Sequence, residues 1–518
     1  MTPDALVADC AATLEPLERA ANLAWWTANV DATPANQQSR LTADLAFSDA
    51  RADAAVFTEI RAARATNVGD PLVARQLDLL EQTYAPHQIE PALRKQIVER
   101  EGEIDARFAR HRGVIDGTEV DDNVIGDILR QSDDSAEREA AWHASKSVGP
   151  EVADDIRALV RLRNEAARAL GYRDYFAMTL ATTEFDEAYL FATLDEVDAL
   201  TAKPFAVFKA ALDEERAARF GVPAAALRPW HYDDPFFQDV PRSKVDLDAY
   251  LEHADLDALT ARTFGGCGLA VEPMMSRSDL LPRAGKVQHA FCIDMDRAGD
   301  IRVLCNNTPG ERWAETMLHE FGHAVYFDGV SRDLPWLLRT MHMSLTEGVA
   351  MRCGRLVHDP RWLRAVAGLP DAALSTLAPE LRAAERARLL VFARWVLVMT
   401  NFERGLYADP DADHDTRWWD LVERMQLVHR PDGRHAPDWA AKIHIAVAPV
   451  YYHNYLFGEL IAAQLQAAFG DLVDSPDTGA ALAKRFFAPG ATEPWDRHIE
   501  IATGSPLTPA VLARELAT

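Results

Sequence analysis

The stretch Met317-Leu318-His319-Glu320-Phe321-Gly322-His323-Ala324 constrains this chain more than any other. It reads H-E-x-x-H. In a helix, residues four apart lie on one face about one turn apart, so His319 and His323 project together. Two imidazoles at that spacing can hold one Zn2+. Glu320 lies between them and can reach a water at the metal without being a ligand. Five letters recur by accident in on the order of a few per cent of chains this long. The rest of the sequence must therefore supply a helix, a third ligand and a cleft.

The helix is well signalled. Thr308 and Pro309 suit an N-cap and first-turn pair, and Glu311 and Glu315 favour the early turns. Ahead of it, 287–293 and 300–304 read as short strands about the turn Arg297-Ala298-Gly299. The edge of such a hairpin can take a peptide as an added strand. A second helix is expected over about 344–357, with Thr346-Glu347-Gly348-Val349-Ala350 inside it. Hydrolytic zinc takes three protein ligands and keeps one open position. Glu347, 24 residues after His323, is the favoured third ligand. Its neighbours Val349, Ala350 and Met351 point to a buried helix, and a buried carboxylate needs a partner. Against this, Asp328 is nearer in sequence, and a lone helical Glu is ordinarily solvated.

A metal so held acidifies its water and polarises a scissile carbonyl. Glu320 then takes the water's proton and passes it to a leaving amine. The oxyanion needs a further donor. The segment Lys442-Ile443-His444-Ile445-Ala446-Val447-Ala448-Pro449-Val450-Tyr451-Tyr452-His453-Asn454-Tyr455 offers candidates. Tyr452 and Tyr455 are three apart and Tyr451 and Tyr455 four apart, so some share a helix face. On spacing alone, aromatics in that pattern are more often core.

Elsewhere the pattern is helical. Helices are expected over 3–30, 41–65, 71–84, 91–112 and 136–170 (two, broken near Gly149-Pro150), and over 185–220, broken near Pro204. Gly117 and Asp121-Asp122-Asn123 mark a loop. Trp230-His231-Tyr232-Asp233-Asp234-Pro235 is irregular and aromatic, suited equally to lining a pocket or to packing. A buried helix is expected over 377–398, with others over 417–427, 447–469 and 478–487. No repeat or long linker divides the chain. Its 518 residues exceed what one core usually serves. We therefore expect a single unit of two parts, a helical wall over about 1–265 and a catalytic half over about 266–518. The net charge of −26 argues against nucleic acid or an anionic membrane as partner. No run of about 18 apolar residues suggests a membrane span. Five scattered cysteines and a start without a signal-peptide pattern point to the cytoplasm and to free thiols.

The motif around His319, the gap to Glu347 and the segment 442–455 together resemble the angiotensin-converting-enzyme family of dipeptidyl carboxypeptidases. They are also similar to the related thimet-type and oligoendopeptidase-type oligopeptidases. The likeness runs from about residue 130 to the end, weaker in the first half, and takes in Gly171-Tyr172-Arg173-Asp174 and Arg332-Asp333-Leu334-Pro335. It implies a mainly α zincin peptidase with a small β-sheet beside the zinc helix and two helical halves around a deep channel. It implies one Zn2+ per chain on His319, His323 and Glu347, with Glu320 as general base and acid. His289 and Ala290 match the strand pair that contacts substrate backbone. His444 and Tyr455 match the groups that bind substrate and stabilise the oxyanion. Lys442 and Tyr452 match groups that hold a substrate's C-terminal carboxylate.

Departures bear on specificity. A glutamine that also grips that carboxylate in converting enzymes is replaced, on this reading, near Tyr232. An arginine that supports chloride activation falls at Asn454, and one cysteine of a family disulfide falls at Gln288. The spacing from His444 to Tyr455 is one residue longer. The expectation is zinc-dependent cleavage of short peptides in the manner of a dipeptidyl carboxypeptidase, with an endo-oligopeptidase as the alternative. A catalytically silent peptide binder is disfavoured, since binding alone has no use for Glu320. A hydrolase of non-peptide amides is a further reading. No oligomeric state follows from the sequence.

Overall fold

The computed structural model describes residues 1–240 and 245–517. The chain is 69% helical, and strand among the described residues is confined to two antiparallel pairs. One local device starts many of the N-terminal helices: a side-chain cap followed by proline. Thr2, Thr33, Asp70 and Glu90 accept backbone N–H groups at the starts of helices Pro3–Val30, Pro34–Arg51, Pro71–Tyr84 and Pro91–Arg110. Proline at that position gives up an N–H that the helix would leave unpaired anyway.

Several expected boundaries change. The stretch 41–65 is two helices, because Asp53 caps a new one, Ala54–Arg64. Pro204 does not break the helix Glu187–Phe220, and Pro379 lies inside the long helix Asp371–Ala408. The loop expected near Gly117 is a hairpin, Gly113–Ile115 with Thr118–Val120. Its two turn residues, Asp116 and Gly117, both have positive φ, at 50° and 78°, as a tight two-residue hairpin requires.

The motif lies on helix Glu311–Gly329. Its cap differs from the expected Thr308–Pro309 pair. The N-cap is Gly310, at φ 141°, and Asp248 Oδ1 accepts the Glu311 N–H at 2.7 Å from a distant part of the chain. Strand Phe291–Asp294 pairs with Ile301–Leu304, with Phe291 opposite Leu304, and this hairpin lies against the motif helix. The first helix, Pro3–Val30, lies on the hairpin's other side. Asn22 Nδ2 donates to the Asp294 carbonyl at 3.2 Å, and Glu18 pairs with Arg297.

Two further helices, Met343–Gly354 and Tyr452–Phe469, pack in sequence behind the motif helix. Glycine permits each close approach. A Cβ on Gly322 would stand 2.8 Å from Ala350 Cα, and one on Gly348 would stand 2.4 Å from Ile461 Cγ2. A Cβ on Gly458 would meet Met351 Sδ at 2.8 Å. Gly348→Ala is therefore expected to destabilise the protein by about 1–3 kcal/mol through overpacking, read from the midpoint of denaturant unfolding. One hydrophobic cluster extends from Leu93 to Leu516, and a smaller one joins Leu6, Leu14 and Leu77 to Trp336.

Candidate active site

His319 and His323 face the same side of the motif helix, with their Nε2 atoms 3.3 Å apart. Helix Met343–Gly354 brings Glu347 to them, and its Oε2 lies 3.7 Å from His319 Nε2. All three ligand atoms fall within 4.8 Å of one another. Asp328, the nearer acid in sequence, is not in this group and instead lies 3.6 Å from Arg332. The donor set fits a tetrahedral divalent cation. Metal–nitrogen bonds of about 2.0–2.1 Å hold two nitrogens roughly 3.4 Å apart at the tetrahedral angle. Burial pushes the His319 imidazole down to about 4, and burial with the neighbouring His319 pushes His323 well below its ordinary value. Both are thus neutral, the form that ligates.

One contributor was missed in the sequence. Thr346 Oγ1 lies 2.6 Å from His323 Nδ1. With Nδ1–H donating to that hydroxyl, Nε2 keeps its lone pair toward the other ligands. The signal was present, since Thr346 immediately precedes Glu347 on the same helix.

Glu320 points to the strand side and is buried. The Cys292 backbone N–H faces its carboxylate. Burial and the nearby Glu347 charge push the Glu320 carboxyl up, and the Cys292 N–H opposes them. Burial also pushes Glu347 up. A divalent cation between these groups would favour their ionised forms. His289 is exposed and Ala290 half-buried, and both lie just ahead of the strand that carries Cys292, which begins at Phe291 and not at 287 as expected.

The segment 442–455 forms a corner rather than the continuous helix expected from 447. A short turn, His444–Val447, precedes helix Tyr452–Phe469. Tyr455 stacks edge-on with Phe392 of the long helix, and burial and the Glu347 charge push its hydroxyl pKa up. Tyr451 also feels the Glu347 charge. The His444 and Tyr452 rings lie 5.2 Å apart, and burial followed by the Lys442 charge pushes His444 down to about 4.

Lys442 is buried and lies over the rings of Phe236, Trp395 and Tyr452. Its Nζ donates to Gln238 Oε1 at 2.7 Å. Tyr232, the position expected to stand where converting enzymes have their glutamine, is elsewhere. It is buried, donates from its hydroxyl to Asp213 Oδ1 at 2.7 Å and accepts from Lys209. The glutamine that meets Lys442 is Gln238. It stands 204 residues before Lys442 in an irregular segment, where no periodicity could have pointed to it.

In a mainly helical fold, two histidines of one helix and a glutamate of the next thus converge on a gap that could hold a metal ion. Residues 2–205 match the family model described as angiotensin-converting enzyme. The match supports a metallopeptidase of the angiotensin-converting-enzyme type. It covers less than half of the chain and ends before the motif helix, so it is independent of the H-E-x-x-H pattern. No curated protein is similar enough to the chain to count as a match. No helix among the described residues is long and apolar enough to cross a membrane.

Proposed function

We propose that this chain is a zinc peptidase that removes dipeptides from the free C-termini of short peptides. The convergence of His319, His323 and Glu347 beside a buried Glu320 carries the hydrolytic part of the reading. When bound, zinc supplies a Lewis acid that polarises the scissile carbonyl and acidifies a water. Glu320, buried beside the Cys292 N–H, accepts the water's proton and delivers it to the leaving amine. Tyr455 donates to the developing oxyanion, with His444 as a second polar group for the substrate. His289 and Ala290 offer backbone to the substrate at the strand edge. In this reading the wall half, about 1–265, and the catalytic half, about 266–518, close on one channel. The bond from Lys442 to Gln238 crosses that line. Five free cysteines suit a reducing, cytoplasmic setting.

Lys442 supports exo-cleavage. It is a buried cation whose hydrogen-bond partner, Gln238, is neutral. Burial pushes its pKa down to about 8, and Asp234 only partly offsets this. A substrate carboxylate would supply the missing counter-charge, flanked by Gln238 and Tyr452. Peptides with free C-termini should therefore be cut two residues from the end. Amidation should lower kcat/KM roughly 10–100-fold, the worth of a charge-assisted hydrogen bond. Equal cleavage of amidated peptides at internal bonds would favour the endo-oligopeptidase reading instead.

The pH dependence has a definite sign. Lys442 is charged below its lowered pKa, so kcat/KM for free-carboxylate peptides should fall as pH rises past about 8. Amidated peptides should lack that limb, and Lys442→Arg should move it upward. Tyr455→Phe should lower kcat about 10²–10³-fold with little change in KM. Unchanged kcat would return Tyr455 to a packing role.

A further inference from the structure

The corner between Lys442 and Tyr455 holds an unusual backbone. Val450 has φ 55° and is buried. A β-branched residue in the left-handed region is a genuine outlier, and it persists only where its surroundings over-determine it. Those surroundings are specific. Glu403 of the long helix, itself buried, accepts the Val450 N–H on Oε1 at 2.8 Å. Four residues before Val450, the Ala446 carbonyl accepts from Arg163 Nη2 at 2.6 Å. Arg163 is buried too. It belongs to helix Val148–Ala169, in the proposed wall half, and also reaches Glu101 at 2.8 Å and the Tyr407 hydroxyl at 3.2 Å. Tyr407 stands one turn beyond Glu403 on the long helix. None of these groups touches the metal ligands or has a part in the proton transfers above.

We infer that Glu403 and Arg163 are positioning residues that fix the Ala446–Val450 corner and so set where Tyr452 and Tyr455 stand relative to His444 and Lys442. The reason is geometric. The corner leads directly into helix Tyr452–Phe469, and successive helical residues differ by about 100° around the axis. A change of backbone at Val450 therefore turns both tyrosines away from their partners. On the other side of the corner, Ser344 Oγ donates to Asn454 Oδ1 at 3.0 Å, and Asn454 Nδ2 donates to the Tyr451 carbonyl at 3.1 Å. The helix that carries Glu347 is thus tied to the same corner. If Glu403 could no longer accept, a buried N–H would be left unpaired. The corner could then relax to a commoner conformation. Burial pushes the Glu403 carboxyl up to about 8, with the Val450 N–H and Arg163 opposing, so glutamine is its closest neutral replacement.

This inference rests on the peptidase reading for its kinetic arm and on hydrogen exchange for an independent one. Glu403→Leu removes the acceptor, Glu403→Gln keeps one, and Glu403→Asp draws it back by one methylene. Zinc-loaded full-length protein is assayed on a free-carboxylate peptide, and hydrogen exchange is followed in the peptide spanning 446–452. Glu403→Leu is expected to lower kcat on the order of 10- to 100-fold, as for a misplaced reacting group, and to speed exchange at Val450. Glu403→Gln should restore both. Val450→Gly, which adopts positive φ without strain, should recover part of the loss in the Glu403→Leu background. If Glu403→Leu does not fold, Glu403→Asp gives the same readings in milder form. Wild-type kcat and wild-type exchange at Val450 in Glu403→Leu, or in Glu403→Asp where that variant stands in, overturn the inference. Should the wild-type protein cleave no peptide, the peptidase reading falls by itself and the exchange measurements decide the role of Glu403.

Discussion

Glu320→Gln is expected to lower kcat for peptide hydrolysis by about 10²–10⁴-fold while the metal stays bound. The substitution keeps the side chain's shape and an oxygen facing the Cys292 N–H. It removes only the ability to accept a proton. Because Glu320 lies outside the group formed by His319, His323 and Glu347, metal content by elemental analysis should be unchanged. KM should change little, since the lost interaction belongs to the transition state. Residual turnover above about a tenth of wild type would place the base elsewhere.

Glu347→Ala should act on the metal itself. It removes one of three protein ligands, so affinity should fall by more than the roughly 10–100-fold expected from losing an outer partner. Thr346→Val supplies that milder comparison, because Thr346 touches His323 Nδ1 and not the ligand gap. The two variants should also differ in stability. Added zinc should raise the melting temperature of the wild-type protein through binding to the folded state alone, and should do so far less in Glu347→Ala. Without metal the order changes. Burial holds the Glu347 carboxyl away from its preferred ionised form. Its removal should therefore leave the metal-free protein at least as stable as wild type. If zinc shifted both melting curves equally, Glu347 would not be a ligand.

What could be read from the sequence was local or periodic. The motif helix, the helix of Glu347 and the small hairpin beside them follow from spacing, and the metal group assembles from residues within one stretch of chain. Long-range partners were illegible. The cap of the motif helix comes from Asp248, 63 residues away, and it displaced a plausible Thr308–Pro309 start. Gln238 reaches Lys442 across 204 residues from a segment without regular structure. Pro204 was a poor guide because a long helix packed along its length keeps going through a proline, as the helix holding Pro379 also does. The hairpin at Asp116-Gly117 was missed although its turn residues announce it, since its strands are only three residues each. The likeness read from about residue 130 onward and the family match over 2–205 overlap only over about 130–205. The N-terminal helices, expected to be plain wall, are where the family model matches.

The glycine contacts among the motif helix, helix Met343–Gly354 and helix Tyr452–Phe469 leave no slack between them. These three helices form an anvil, which cannot yield without steric collision. In the peptidase proposed above, accommodation of different peptides would fall to the irregular segments, His289–Ala290 ahead of the strand and the run through Phe236 and Gln238. Such a division would let substrate choice drift by substitution in those segments while the residues on the anvil stay as they are.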